Sequence, residues 1–291
     1  MEEVEATLMK YMTFNSSCSY AGIANMLERH GLDTSDRSIA IGMKLPYLFF
    51  RCNGIYLSGP MLQEAKWFNL YLNPIGYELS EKMMPADEAA AYLKAQETAM
   101  LGIRTGNTGK HAVVYTGTRA DRLVFLNNKW ESEEAPDEIQ LTVDELKQKL
   151  DPTVVVATLQ QVSPKSVCFT DKLQESIAVL QANLAEITEL CGKEETVAFF
   201  RSKLNILFRP LFLDGIAMLN LVGEAGLAQS FTSLQQELLC ALRQEPEQCI
   251  LLNENISMDR LQTSAQSYVD LILLLCSILS CALSYISERI F

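Results

Sequence analysis

The sequence is poor in the residues that build metal sites. It holds only two histidines, His30 and His111, and none of its eight cysteines (Cys18, Cys52, Cys168, Cys191, Cys240, Cys249, Cys276, Cys281) forms a C-x-x-C pair. A zinc site of the usual Cys/His spacing is therefore not expected. Positive charge is scarce too. Lys and Arg number 24 against 36 Asp and Glu, a net charge of −12. The acidic excess is shared evenly by residues 1–160 and 161–291, so there is neither a basic arm nor an acidic tail. Such a surface repels phosphate backbones and argues against a nucleic-acid partner. The opening MEEVEATLMKYM lacks the basic region and apolar run of a signal peptide, which predicts a cytoplasmic protein with reduced thiols.

A membrane-length apolar run is also missing. The charge-free stretch Leu271–Ile286 lies between Asp270 and Glu288–Arg289, and is shorter than the roughly 20 residues a span needs. It reads as a buried C-terminal helix rather than an anchor. No internal repeat or low-complexity tract is seen.

What remains is globular. With 291 residues, 48% of them hydrophobic and 21% charged, the chain suits one large domain or two of ordinary size. Its first half alternates element types. Helices are expected over Ser17–His30, with Gly31 as its stop, over Met61–Leu72 and over Pro85–Gln96. Pro46–Gly59 reads as strand and turn around Asn53-Gly54. Strands follow at Ala99–Arg104, Ala112–Thr116 and Leu123–Leu126, the last two joined by a hairpin at Thr118–Asp121. Thr142 and Glu145 form a capping box for a short helix, and Thr153–Gln160 is a last strand. Beyond Pro164 only helical periodicity remains. Leu173, Ile177, Leu180, Leu184, Ile187 and Leu190 make one stripe, and Glu194–Phe208, Leu211–Ser230, Thr232–Arg243 and Met258–Arg289 continue the pattern. The expected architecture is an α+β domain over 1–163 followed by an all-α helical bundle over 164–291.

Two residues invite chemistry. Cys18 falls in the first turn of its helix, where the dipole and unpaired N–H groups favour a thiolate. A small buried apolar cysteine is the plain alternative. His111 opens an apolar strand after a glycine-rich turn and is a natural general base, or else a surface histidine. Asn127 and Asn128 end the strand that returns beside it. An amide oxygen there could fix the imidazole tautomer, and since neighbours on a strand face opposite ways only one of the two can do so. His30 lies too far along the helix from Cys18 to act as its base. Tyr20 and Trp130 are candidate substrate-facing aromatics, though each serves equally as packing.

The order and spacing of these pieces resemble the papain-fold cysteine peptidases that process bacteriocin leaders. They resemble more closely the N-terminal domain of the butirosin-biosynthesis H-type acyltransferases. The helix matches as Cys18-Ser19-Tyr20-Ala21-Gly22-Ile23-Ala24-Asn25-Met26-Leu27-Glu28-Arg29-His30-Gly31, and the strand as His111-Ala112-Val113-Val114-Tyr115-Thr116-Gly117. The likeness covers about residues 10–160. It implies a papain-like fold, no cofactor and no metal, with Cys18 as nucleophile, His111 as base and Asn128 at the acidic third position of the peptidases. It also implies acyl transfer through a Cys18 thioester, to water or to a small-molecule or peptide amine. An acyl carrier protein is a candidate donor, and the helical domain would cover the cleft or form a homodimer. Two positions depart from the pattern. Met12 stands where the peptidases carry a glutamine oxyanion donor, leaving Asn15 or the Cys18 N–H as substitutes, and the third member is an amide. The rival expectation is an idle papain-like fold used as a binding scaffold.

Overall fold

The computed structural model describes residues 9–14, 17–105, 109–191 and 214–242, together with Ser277. The chain divides into two compact units, residues 1–43 with 63–167 and residues 44–62 with 168–291. The expected division at 163/164 has no counterpart for the excursion at 44–62, which clusters with the C-terminal segment. The helices expected over Glu194–Phe208 and Met258–Arg289, and the stretch Leu271–Ile286 apart from Ser277, lie outside the described residues. Among the described residues no helix is long and apolar enough to cross a membrane.

In chain order the elements are α1 (Cys18–Glu28), α2 (Asp36–Gly42), β1 (Phe49–Cys52), β2 (Ile55–Ser58), α3 (Ala65–Leu72), β3 (Tyr77–Pro85), α4 (Ala86–Lys94), β4 (Ala99–Thr105), β5 (Gly109–Arg119), β6 (Arg122–Asn127), β7 (Glu138–Leu141), α5 (Val143–Lys149), β8 (Thr153–Gln161) and α6 (Phe169–Cys191). Helices Ile216–Leu221 and Ala225–Leu242 follow.

The first unit is mixed α+β, built on a six-stranded antiparallel sheet of order β3-β8-β4-β5-β6-β7. Two turns shape its centre. Ala120 and Asp121 both take positive φ, 46° and 63°, the geometry that matches a two-residue turn to the twist of β5 and β6. Register shifts between Tyr115 and Gly117, so Thr116 bulges and Gly117 absorbs a φ of 139°. One face of the sheet meets α4 and α5 through Leu93, Leu101, Val113, Phe125, Leu146 and Val156. Helix α5 is fixed at its start by the capping box, with Thr142 accepting from the Glu145 N–H and Glu145 reaching back to the Thr142 N–H.

Helix α1 is buried along its length from Ser19 to Leu27. Gly22 sets how closely it lies on the sheet. A Cβ there would sit 2.5 Å from Met100 Sδ and 2.7 Å from Asn128 Nδ2, so only glycine fits. Beyond the helix, Gly31 at φ 76° and the Leu32 N–H bond to Leu27 O (3.1 Å) close the last turn in the left-handed manner.

In the second unit, β1 and β2 pair through an Asn53-Gly54 turn with φ of 51° and 76°. Ser176 Oγ of α6 accepts from the Phe49 N–H (3.0 Å), and the expected stripe turns Leu173 and Leu180 inward. The helices expected over Leu211–Ser230 and Thr232–Arg243 are corrected. The break falls at Gly223 (φ 87°), and Ser230-Phe231 runs on inside one helix from Ala225 to Leu242. Serine and threonine inside that helix spend their hydroxyls on its own carbonyls, Ser230 on Gly226 O and Thr232 on Ala228 O, so they do not stop it.

Candidate active site

Cys18 is the first residue of α1, with Ser17 at the cap position making no side-chain cap bond. The N–H groups of that first turn have no intrahelical acceptor and point a partial positive charge at the thiol. The loop ahead of it is tied down by Asp36, itself only 1% exposed. The Asp36 carboxylate accepts from Thr13 N (2.6 Å), Thr13 Oγ1 (2.8 Å), Ser17 Oγ (3.0 Å) and Arg37 N (2.7 Å). The position of Cys18 is thus set by both the helix and a buried charged anchor.

His111 is the third residue of β5 and pairs with Ile103 across the ladder. Its ring and the Cys18 thiol are close enough for each to shift the ionisation of the other. Nε2 lies 2.8 Å from Asn127 Oδ1. Asn127 faces Val113, two residues on from His111, so the pair are diagonal neighbours on one face of the sheet. The Asn127 Nδ2 donates to Pro136 O (2.9 Å), which fixes the amide so that its oxygen meets the ring. Nε2 must then carry the proton, leaving Nδ1 as the acceptor for the thiol.

The electrostatics follow from this contact. Burial opposes ionisation of Cys18, but the polar contact and charge of the His111 imidazolium, with backbone N–H groups at Ala112 and Ser19, together hold its thiol below the usual range. Burial likewise opposes the imidazolium of His111. The thiolate beside it, the Asn127 bond and the charge of Glu133 outweigh that and raise its pKa. Opposite shifts in two touching groups are what an activated thiol and its base require.

Asn128, expected to orient the imidazole, does not touch it. It is fully buried, donates to Ala112 O (2.9 Å) and accepts from Asn25 Nδ2 (3.1 Å), bridging α1 to β5. Adjacent strand-end residues face opposite ways, and it is Asn127 that shares a face with His111. Tyr20 is corrected as well. Two residues on from Cys18, it points about 200° round the helix, is 0% exposed and meets Phe68 edge-on at 4.8 Å. It belongs to the core and lines no surface. Trp130 is half-buried, and its N–H bonds Glu133 Oε2 (2.9 Å), which positions the carboxylate that acts on His111. Asn15 lies outside the described residues. Met12 is 8% exposed, and its own N–H is spent on Lys129 O (2.9 Å). His30 packs against the Tyr77 ring at 5.5 Å.

Sequence reasoning missed Asp36, Glu133 and the Asn25–Asn128 bridge. Each is a polar residue in a loop or helix whose partner is far off in the chain, so no local signal marks it. Among the described residues no group of three or more His, Cys, Asp or Glu stands together as a metal site.

No family model matches the chain. No curated protein matches it either. Among solved structures, the crystal structure of the peptidase domain of Streptococcus ComA, a bi-functional ABC transporter involved in a quorum-sensing pathway, is similar at 12% identity with a TM-score of 0.38, over 55% of this chain and 99% of that one.

Proposed function

We propose that the chain is a papain-like cysteine enzyme that moves acyl groups through a thioester on Cys18. Cys18 attacks a carbonyl carbon, His111 takes and returns the proton, and Asn127 holds the ring in the competent tautomer. The observation that carries this reading is the His111 ring held by Asn127 at 2.8 Å beside the first residue of α1, with the Cys18 thiol pKa depressed and the His111 pKa raised by each other's presence. A thioester or similarly activated donor suits the site. Its leaving group departs easily, and Met12 puts no side-chain donor where the resembling peptidases have one. The acyl group then passes to water or to an amine, and the net charge of −12 favours a cationic amine over an acidic partner.

The test is intact-mass spectrometry after mixing the protein with the N-acetylcysteamine thioester of acetate. One acetyl should appear on Cys18 and none on Cys18→Ala. Equal labelling of the two proteins would end the reading. The scaffold alternative has two features in its favour, Met12 and the amide third member, and iodoacetamide separates it. A scaffold cysteine alkylates no faster than a free peptide cysteine.

A further inference from the structure

We propose that Lys129 is a positioning residue for His111, acting through the loop that anchors Asn127. Its effect on rate rests on the acyl-transfer reading above, and its effect on the ring does not. The loop is residues 130–137, in the connection from β6 to β7, and every side chain from Glu131 to Asp137 is exposed. None of those seven side chains ties the loop into the core. Yet Pro136 O accepts from Asn127 Nδ2 (2.9 Å), and Asp137 O accepts from the Asn127 N–H (2.8 Å). The loop therefore decides where the amide oxygen that meets His111 Nε2 stands.

Lys129 takes the place of a core beneath this loop. It is only 4% exposed, and lysine is almost never buried unless its charge is paired. An ammonium has three N–H donors. Here they meet three acceptors, all in the loop: Asp137 Oδ1 (2.9 Å), Glu133 O (3.0 Å) and Trp130 O (3.3 Å). The Tyr11 ring lies against the same ammonium, its centroid 5.2 Å from Nζ, and the Tyr11 hydroxyl donates to Asp137 Oδ2 (3.0 Å). The Met12 N–H on Lys129 O (2.9 Å) adds a second tie from the segment that leads to Cys18. One buried cation thus gathers the start, middle and end of the loop beside the histidine's amide partner. Without it the Pro136 carbonyl is less firmly placed, and a released Asn127 amide can turn its NH2 toward the ring. Nε2 would then have to accept, which puts the proton on Nδ1 and removes the base from the thiol's side.

The tautomer of His111 reads this role without reference to acylation. In Cys18→Ala, where no thiolate holds the ring charged, nitrogen NMR at a pH that leaves the ring neutral is expected to show Nε2–H alone. Adding Lys129→Met, which keeps the apolar stem and removes the ammonium, is expected to give a mixture of both tautomers. With Cys18 present, Lys129→Met should slow acylation by the acetyl thioester about tenfold at temperatures where the protein is folded. Lys129→Arg should fall between, since its planar fork keeps the charge but cannot meet three acceptors set around a point. Asp137→Asn removes only the exposed partner, so it keeps the fold where Lys129→Met does not, and it should show both effects to a smaller degree. An unchanged tautomer in these folded variants overturns the proposal whether or not acylation falls, because Lys129 would then support the fold alone. A parent protein that alkylates but is never acylated ends the acyl-transfer reading, and loss of the pure Nε2–H tautomer in Lys129→Met would still establish Lys129 as the residue that sets the ring.

Discussion

His111 Nε2 and Asn127 Oδ1 stand 2.8 Å apart, and the far end of the same amide is anchored on Pro136 O at 2.9 Å. The asparagine cannot flip without losing both bonds, so it dictates which ring nitrogen faces Cys18. Its neighbour Asn128 has the opposite task, holding α1 to β5 through Asn25 and Ala112.

The two asparagines therefore predict different losses. Asn127→Ala should lower the rate of Cys18 acylation by tenfold or more, since a misdirected base forfeits part of the roughly 10²–10⁴ that general-base help supplies. Its thermal midpoint should fall less than that of Asn128→Ala, because the two partners it loses, Pro136 O and the His111 ring, are only partly buried. Asn128→Ala leaves the buried Asn25 amide and Ala112 O short of a bond and should cost about 1–3 kcal/mol of stability. Thermal denaturation and thioester acylation of both variants check the pair. The assignment fails if Asn128→Ala abolishes acylation at undiminished stability while Asn127→Ala acylates normally.

The sequence revealed this centre unevenly. Cys18 and His111 were legible because each sits at a place that local signals mark, a helix start and a strand start. The capping box at Thr142 and Glu145 was legible for the same reason. Choosing between Asn127 and Asn128 needed the register of β5 against β6, which the Thr116 bulge shifts. Asp36 lies in a short helix whose apolar face is only Ile39 and Ala40, too little periodicity to detect. Strand β3 was also missed. Its middle residues, Ser80 to Met83, are all exposed and mix polar, charged and apolar side chains because the strand is at the sheet's edge, where solvent erases the alternation. The excursion of residues 44–62 into the second unit leaves no mark in composition at all.

The pH dependence of Cys18 has a defined sign. A depressed thiol is ionised over more of the range, so the iodoacetamide rate should rise with pH through a midpoint below the free-thiol value of about 8.5. In stability, the Cys18 shift contributes fully above about 8.5 and is lost as pH falls through the lowered folded value. The His111 shift runs the other way, complete below about 6.5 and lost as pH rises through the raised folded value. His111→Ala should move the alkylation midpoint upward, because burial of the thiol then acts with less to oppose it. Each unit of that movement removes about tenfold of the thiolate at pH 7. An alkylation curve that His111→Ala leaves in place would show that the two groups do not interact.

Gly22 gives a test of how α1 lies on the sheet. A methyl group there meets Met100 Sδ at 2.5 Å and Asn128 Nδ2 at 2.7 Å. The Met100 thioether is flexible and can yield, but Asn128 is pinned by two hydrogen bonds. Gly22→Ala should therefore destabilise by about 1–3 kcal/mol despite the better helix propensity of alanine. Alanine scanning of α1 followed by denaturant titration reads this directly, and a stabilised Gly22→Ala would mean that the helix stands further from β5 than described.

Asp36 makes the last prediction. Its carboxylate gathers four donors, three of them from Thr13 and Ser17, the segment that leads into Cys18. Asp36→Ala strands those donors in a buried setting and should cost about 2–4 kcal/mol, since hydrogen bonds to a charged acceptor are among the stronger ones. Asp36→Asn keeps the shape and one acceptor oxygen, so it should recover part of the stability while the Thr13 amide, a donor to Oδ2, loses protection from hydrogen exchange if the new NH2 takes that side. A purely remote stabilising role would lower the melting point and leave Cys18 chemistry alone once the protein is folded. Because the anchored loop ends at the nucleophile, the folded Asp36→Asn protein should instead show slower acylation of Cys18 at temperatures well below its midpoint. Acylation at the parent rate there would mean that α1 by itself suffices to place the sulfur.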